Sequence, residues 1–166
     1  RQVVKAAPLT TEAYAQGLAA AQRAEDASGI RWATIGILQQ AWPKEQEAVQ
    51  AAALRSAKAL LDQYRETGET ELMAQYQQEL DAALIRDCVV KVSWSGEADV
   101  DLLVEDPTGE VCSLQQPRTL GGGVCLGDAY ASYDQPSADG FSETYVCPQG
   151  FSGDYRVRIR KVWGEL

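Results

Sequence analysis

The spacing of apolar residues changes period near residue 88, and that change constrains the fold more than any other feature. Up to Asp87, apolar residues recur every three to four positions, as one face of a helix requires. From Cys88 onward they alternate with polar residues, as in strands with one buried face. The two patterns cannot share one regular element. The chain therefore reads as a helical domain over 1–87 followed by a β-sandwich domain over 88–166, an α+β arrangement.

Four helices are expected in the first part. "LTTEAYAQGLAAAQRAED" offers Thr10 or Thr11 as an N-cap and sets Tyr14, Leu18 and Ala21 on one face. "ASGIRWATIGILQQAW" carries Ile30, Ala33, Ile37 and Ala41 as a stripe, and Pro43 ends it by pushing Trp42 out of the α region. The third helix runs from Pro43 to Thr67, burying Val49, Ala53, Leu54, Ala57, Leu60, Leu61 and Tyr64, with Gly68 as its stop. The fourth steps by four through Leu72, Tyr76, Leu80 and Leu84. Short connections make neighbouring helices antiparallel hairpins, and small Ala and Gly positions let them approach closely. The first and third helices start roughly 33 residues apart, a spacing found in helical-hairpin repeats. With "GLAAAQRAED", it resembles tetratricopeptide repeats; a plain four-helix bundle is the alternative.

The second part reads as an antiparallel β-sandwich of five to seven short strands. "CVVKVSW" opens it, and "DVDLLVED" follows. "DPTG" then places Pro107 second and Gly109 fourth in a type I turn. "EVCSL", "VCLGD" and "SETYVCP" come next, with the loops "PRTLGGG" and "AYASYDQPSADGF" between them. The last strand, "DYRVRIRKVW", sets Tyr155, Val157 and Ile159 on one face and Arg156, Arg158 and Arg160 on the other.

Charge and composition exclude several functions. The net charge is −9, with nine basic against twelve acidic residues before Cys88 and six against twelve from Cys88 on. Nucleic-acid binding draws on Lys and Arg, so that partner class is disfavoured. Histidine is absent. Its absence removes Ser-His-Asp and Cys-His catalysis, His-containing zinc sites and imidazole acid–base chemistry. No apolar run reaches the ~18–20 residues of a membrane helix. Beginning at Arg1 without a signal-peptide pattern, the chain reads as a piece of a longer precursor.

"VSWSGEADVDLLVEDPTGEVCSLQQPRTLGGGVCLGD" and "SETYVCPQGFSGDYRVRIRKVWG" together resemble the bacterial YfaP-like domain of unknown function. The shared pattern is a Trp-bearing strand, D-x-D-L-x-V ending in x-P-x-G, a P-R-x-x-x-G-G loop and a closing G-x-Y-x-V strand. Residues 88–165 are also similar in outline to prepeptidase C-terminal β-sandwich domains. Leu103 stands where YfaP-like members usually carry His, so no role of that His transfers. The resemblance implies an accessory, non-catalytic sandwich in a multidomain protein of the bacterial envelope or periplasm, or an exported one.

Asp99 and Asp101, at i and i+2 of a strand, share a face with Glu105, while Val100, Leu102 and Val104 point inward. These acids form either a solvated row paired with Arg156, Arg158 or Arg160, or part of a calcium site. Ca²⁺ takes about six to eight oxygens, so Asp128, Asp139 and Glu143 would have to converge on Asp99 and Asp101. Arg118 in "PRTLGGG" would clamp an anion held on backbone N–H groups, or belong to a tight loop. Tyr130, Tyr133 and Phe141 would grip a sugar ring, or anchor the long loop. The four cysteines, Cys88, Cys112, Cys125 and Cys147, permit three complete pairings. Their place inside strands favours free thiols, because strand-interior cysteines seldom meet at disulfide distance. The reading that unites these features is a non-catalytic recognition or scaffolding fragment. Its partner would be another domain of its parent or a separate protein. A calcium- or carbohydrate-binding module is the alternative, with Ca²⁺ the one cofactor considered.

Overall fold

A computed structural model of the chain describes residues 11–42, 46–127 and 140–165. Four helices precede two small antiparallel three-stranded sheets that pack together, an α+β fold. The helices are α1 (Thr11–Arg23), α2 (Ala27–Leu38), α3 (Glu47–Thr67) and α4 (Thr70–Ala83). The strands are β1 (Cys88–Trp94), β2 (Ala98–Glu105), β3 (Val111–Cys112), β4 (Val124–Cys125), β5 (Phe141–Cys147) and β6 (Arg156–Gly164). Two compact units result: the helices with the chain through Gln40 and Gln46–Ile85, and the sheets with Ala41, Trp42 and the chain from Arg86. Among the described residues no helix is long and apolar enough to cross a membrane.

In the helical unit, Tyr14, Leu18 and Ala21 are buried as their spacing requires. Asp26 caps α2, its carboxylate accepting from the Gly29 N–H at 2.9 Å. The expected caps Thr10 and Thr11 have side chains outside the described residues. The approach of α1 to α2 depends on two glycines. A Cβ on Gly36 would lie 2.2 Å from Tyr14 Cε1, and one on Gly17 would lie 2.8 Å from Trp32 Cζ3. The Tyr14 and Trp32 rings stack with centroids 5.8 Å apart. Ala53, Ala57, Leu60 and Tyr64 make the buried stripe of α3, and Gly68, at φ +76°, ends it in the left-handed region. Thr34 on α2 and Tyr76 on α4 join through a buried 2.6 Å hydrogen bond between hydroxyls.

Three expectations are corrected here. Leu54 is exposed, because it sits about 100° around the helix from Ala53, whose stripe makes the contact. Leu84 is exposed and Ala83 buried, since steps of four drift by about 40° each and the third overshoots the face. The second helix ends at Leu38, so Ala41 does not continue its stripe. Ala41 packs instead on Val124 and Val146 in the β unit. Pro43 lies outside the described residues.

The sheets have the orders β1-β5-β4 and β3-β2-β6. On β5, Phe141, Glu143, Tyr145 and Cys147 share one face with successive positions of the interior. Leu102, Val104, Cys112, Cys125, Tyr145 and Cys147 form one core cluster, and Trp94, Ala98, Val100 and Phe141 form another. Val124 and Val146 alternate to the opposite face, where Ala41 covers them. That cover explains why apolar residues run consecutively in "YVC" and "VC": both faces are buried there. β6 is the exception. Its register sets Val157 opposite Val104 and Ile159 opposite Leu102, yet every residue of β6 is exposed.

Candidate functional site

The turn after β2 forms as its sequence dictates. The Gly109 N–H donates to the Asp106 carbonyl at 2.9 Å, and Gly109 takes φ +88°. Asp106 Oδ1 accepts from the backbone N–H of Thr108 at 2.9 Å and of Glu110 at 3.3 Å, and from the Thr108 hydroxyl. Burial pushes the Asp106 pKa up, but these hydrogen bonds to its charged form outweigh burial and hold it below the ordinary carboxylate value.

From that turn back along β2, the acids form one row. Asp101 and Glu105 lie on the face away from the core, while Val100, Leu102 and Val104 are all but fully buried. Each acid meets arginine on β6. Glu105 Oε1 accepts from Arg156 Nη1 at 3.0 Å, and its Oε2 accepts from Arg158 Nη2 at 3.2 Å. Both Arg160 Nε, at 2.9 Å, and Arg160 Nη2 donate to Asp101 Oδ2. Glu105 and its arginines are open to solvent, where such pairs contribute ~0.2–1 kcal/mol. Asp101 is buried apart from the side its arginine covers, so its partner matters more. Asp99 continues the same face of β2; a bulge at Val162 on β6 shifts the register there and sets Asp99 opposite Trp163 rather than an arginine.

Glu143 sits inside the sandwich. Its Oε2 accepts the Leu102 backbone N–H at 2.7 Å, reaching from β5 to β2. It is therefore a tie between sheets. Asp128, Asp139, Tyr130 and Tyr133 lie outside the described residues. Phe141 is buried, its ring stacked on Trp94 with centroids 5.9 Å apart. Among the described residues no three His, Cys, Asp or Glu side chains are grouped to hold a metal ion.

Arg118 pins the chain segment between α2 and α3. Its Nη2 donates to the Ala41 carbonyl at 2.8 Å, and its guanidinium lies 5.0 Å from the centre of the Trp42 ring. The loop beside it is a tight turn. The Thr119 N–H donates to Gly123 O, the Gly122 N–H to Thr119 O, and the Gly123 N–H to Thr119 Oγ1. Glu110 Oε2 takes the Leu120 N–H at 2.6 Å, so a carboxylate of the chain already serves as the anion there. Arg118 and these N–H groups hold the protein's own atoms.

The four cysteines are free thiols in or beside the core. Cys88 stands opposite Cys147 in the β1–β5 ladder, and the Cys125 thiol shares a hydrogen bond with Cys112. That bond and burial push Cys125 up, while the same bond lowers its partner Cys112. Burial raises Cys88 and Cys147. Cys112, Cys125 and Cys147 are buried and Cys88 packs partly buried against the same cluster, so these thiols pack as small apolar groups.

What the geometry brings together is the β2–β6 surface. Its outer row is ionic, and its inner row runs from buried Val104 and Leu102 to uncovered Val157 and Ile159. Each row was legible separately from alternation along its own strand. The lack of cover over β6 had no signal, because period two reports a shared face and not what lies above it. No family model matches the chain, and neither a curated protein nor a solved structure matches it significantly.

Proposed function

We propose that the chain is a non-catalytic recognition or scaffolding piece of a larger bacterial protein, working by protein–protein contact. The observation that carries this reading is β6: nine consecutive exposed residues that include Val157, Ile159, Val162 and Trp163 beside four cations. Exposed apolar side chains grouped on one surface mark interaction sites more often than isolated ones do. The resemblance of residues 88–165 to YfaP-like accessory domains points the same way and suggests an envelope or exported setting. In the helical unit, Tyr14, Trp32, Tyr64 and Leu72 line an open groove of about 620 Å³, which offers a second contact surface.

Photo-crosslinking in the native cell tests the reading. A photoreactive residue placed at Val157, Ile159 or Trp163 should give a discrete protein adduct, and one at Lys58 on α3 should not. Adducts that contain only lipid or sugar, or no adduct from β6, would overturn it.

A further inference from the structure

Resting on that reading and deepening it, the geometry points to strand addition at β6. We infer that the free edge of β6 takes an extended segment of a partner protein as a further strand. The segment would carry acids in the row beside Arg156, Arg158 and Arg160 and apolar residues in the row beside Val157 and Ile159.

Three observations converge on this occupant. First, β6 is an edge strand, with β2 on one side and, among the described residues, no strand on the other. An edge presents unpaired backbone donors and acceptors, and an extended peptide can satisfy them. Second, the apolar layer of the sheet continues past its cover. Val104 and Leu102 are 0% and 2% exposed, whereas their ladder partners Val157 and Ile159 are 45% and 59% exposed. Third, the charge is lopsided. Of the six Lys and Arg residues from Cys88 onward, four (Arg156, Arg158, Arg160 and Lys161) fall within the nine residues of β6, which hold no acid. Asp101 and Glu105 answer only part of that charge, since Glu105 is shared by two arginines.

The strand already paired with β6 shows what it accepts. β2, "ADVDLLVE", carries Asp101 and Glu105 in the arginine row and Leu102 and Val104 in the apolar row. A second strand of the same pattern on the free edge would meet the same two rows. A second copy of β6 would not, because side-by-side pairing would bring the two arginine rows together, and like charges on neighbouring strands repel. A polyanion or an anionic membrane would use the arginines and leave Val157 and Ile159 idle. Charged residues also guard edges against aggregation, but a guard alone has no need of the exposed apolar row.

The probe is a fluorescent peptide with the sequence of β2, titrated into the full chain and followed by anisotropy. Polyglutamate of similar charge and a peptide with its acids changed to Lys serve as comparisons. Saturable binding of the first peptide alone is expected. It should weaken at least about tenfold in Arg158→Glu and in Ile159→Lys, and stay unchanged in Leu120→Lys, an exposed position on another loop. Amide shifts in the unsubstituted chain should map to Arg156–Gly164, which keeps the test valid if a variant misfolds. No saturable binding, equal binding of polyglutamate, or shifts that avoid β6 would overturn strand addition. Crosslinks at β6 without peptide binding would leave the recognition reading standing and strand addition refuted. Peptide binding without cellular crosslinks would do the reverse.

Discussion

Glu143 on β5 and Leu102 on β2 are joined across the sandwich by a 2.7 Å bond from a backbone N–H to a buried carboxylate. β3 pairs with β2 only at Val104 and Glu105, so the carboxylate serves a donor that the short neighbour does not reach. Replacing Glu143 with Leu strands that donor in the interior, at a cost of about 1–3 kcal/mol. Glu143→Gln keeps an acceptor and should cost less. Urea unfolding of both variants checks the order, and equal midpoints would mean the bond contributes little.

Arginine removal should divide β6 into unequal positions. Arg160→Ala leaves the Asp101 carboxylate buried without its partner and should destabilise by about 1–3 kcal/mol. Arg156→Ala, whose Glu105 keeps Arg158, should stay within about 0.5 kcal/mol. Thermal and urea midpoints measured side by side separate the two.

Gly36→Ala should destabilise the helical unit by about 1–3 kcal/mol, although Ala is the better helix former by about 1 kcal/mol. The new methyl would meet the Tyr14 ring, which packs against the bare backbone. A gain in stability would show that Tyr14 moves aside freely.

Asp106 gives the pH dependence a sign. Its folded pKa lies below the unfolded value of about 3.9, so its contribution is present above that pH and is lost as pH falls through the folded value. Asp106→Asn should therefore be less stable at pH 7 by about 1–2 kcal/mol, with the gap narrowing on acidification. Unfolding midpoints at pH 7 and pH 3 measure it. A gap that does not change with pH would assign the loss to something other than the carboxylate charge.

Arg160 already supplies the positive charge that a divalent ion would bring to Asp101. Millimolar Ca²⁺ should thus leave the melting temperature unchanged in the presence and absence of chelator. A rise of several degrees would favour the calcium reading built on Asp99, Asp101, Asp128, Asp139 and Glu143.

Local chemistry was legible in the sequence, and distant cover was not. The Asp106–Gly109 turn, the Gly68 stop, the inward Val100, Leu102 and Val104, and the acid–arginine pairing followed from turn residues and alternation. Glu143 entered the reading only through the calcium alternative, and its role as an internal tie had no signal, because spacing cannot tell which backbone donor a carboxylate will meet 41 residues away. Phe141 read as either a sugar platform or a packing anchor, and spacing could not choose between them, because the Trp94 ring that stacks on it comes from a strand far back in the sequence. Arg118 read as an anion clamp or as part of a tight loop; it lies beside a tight turn, and the Ala41 carbonyl it holds, 77 residues away, had no local signal.

The placement of Ala41 and Trp42 has a consequence for anyone dividing this protein. Because the sheets recruit these residues from the middle of the helical sequence, no single scission releases them whole. A polypeptide started at Cys88 would leave Val124 and Val146 bare and deprive Arg118 of its carbonyl. On the ribosome, likewise, Ala41 and Trp42 emerge long before β4 and β5, and must wait for them.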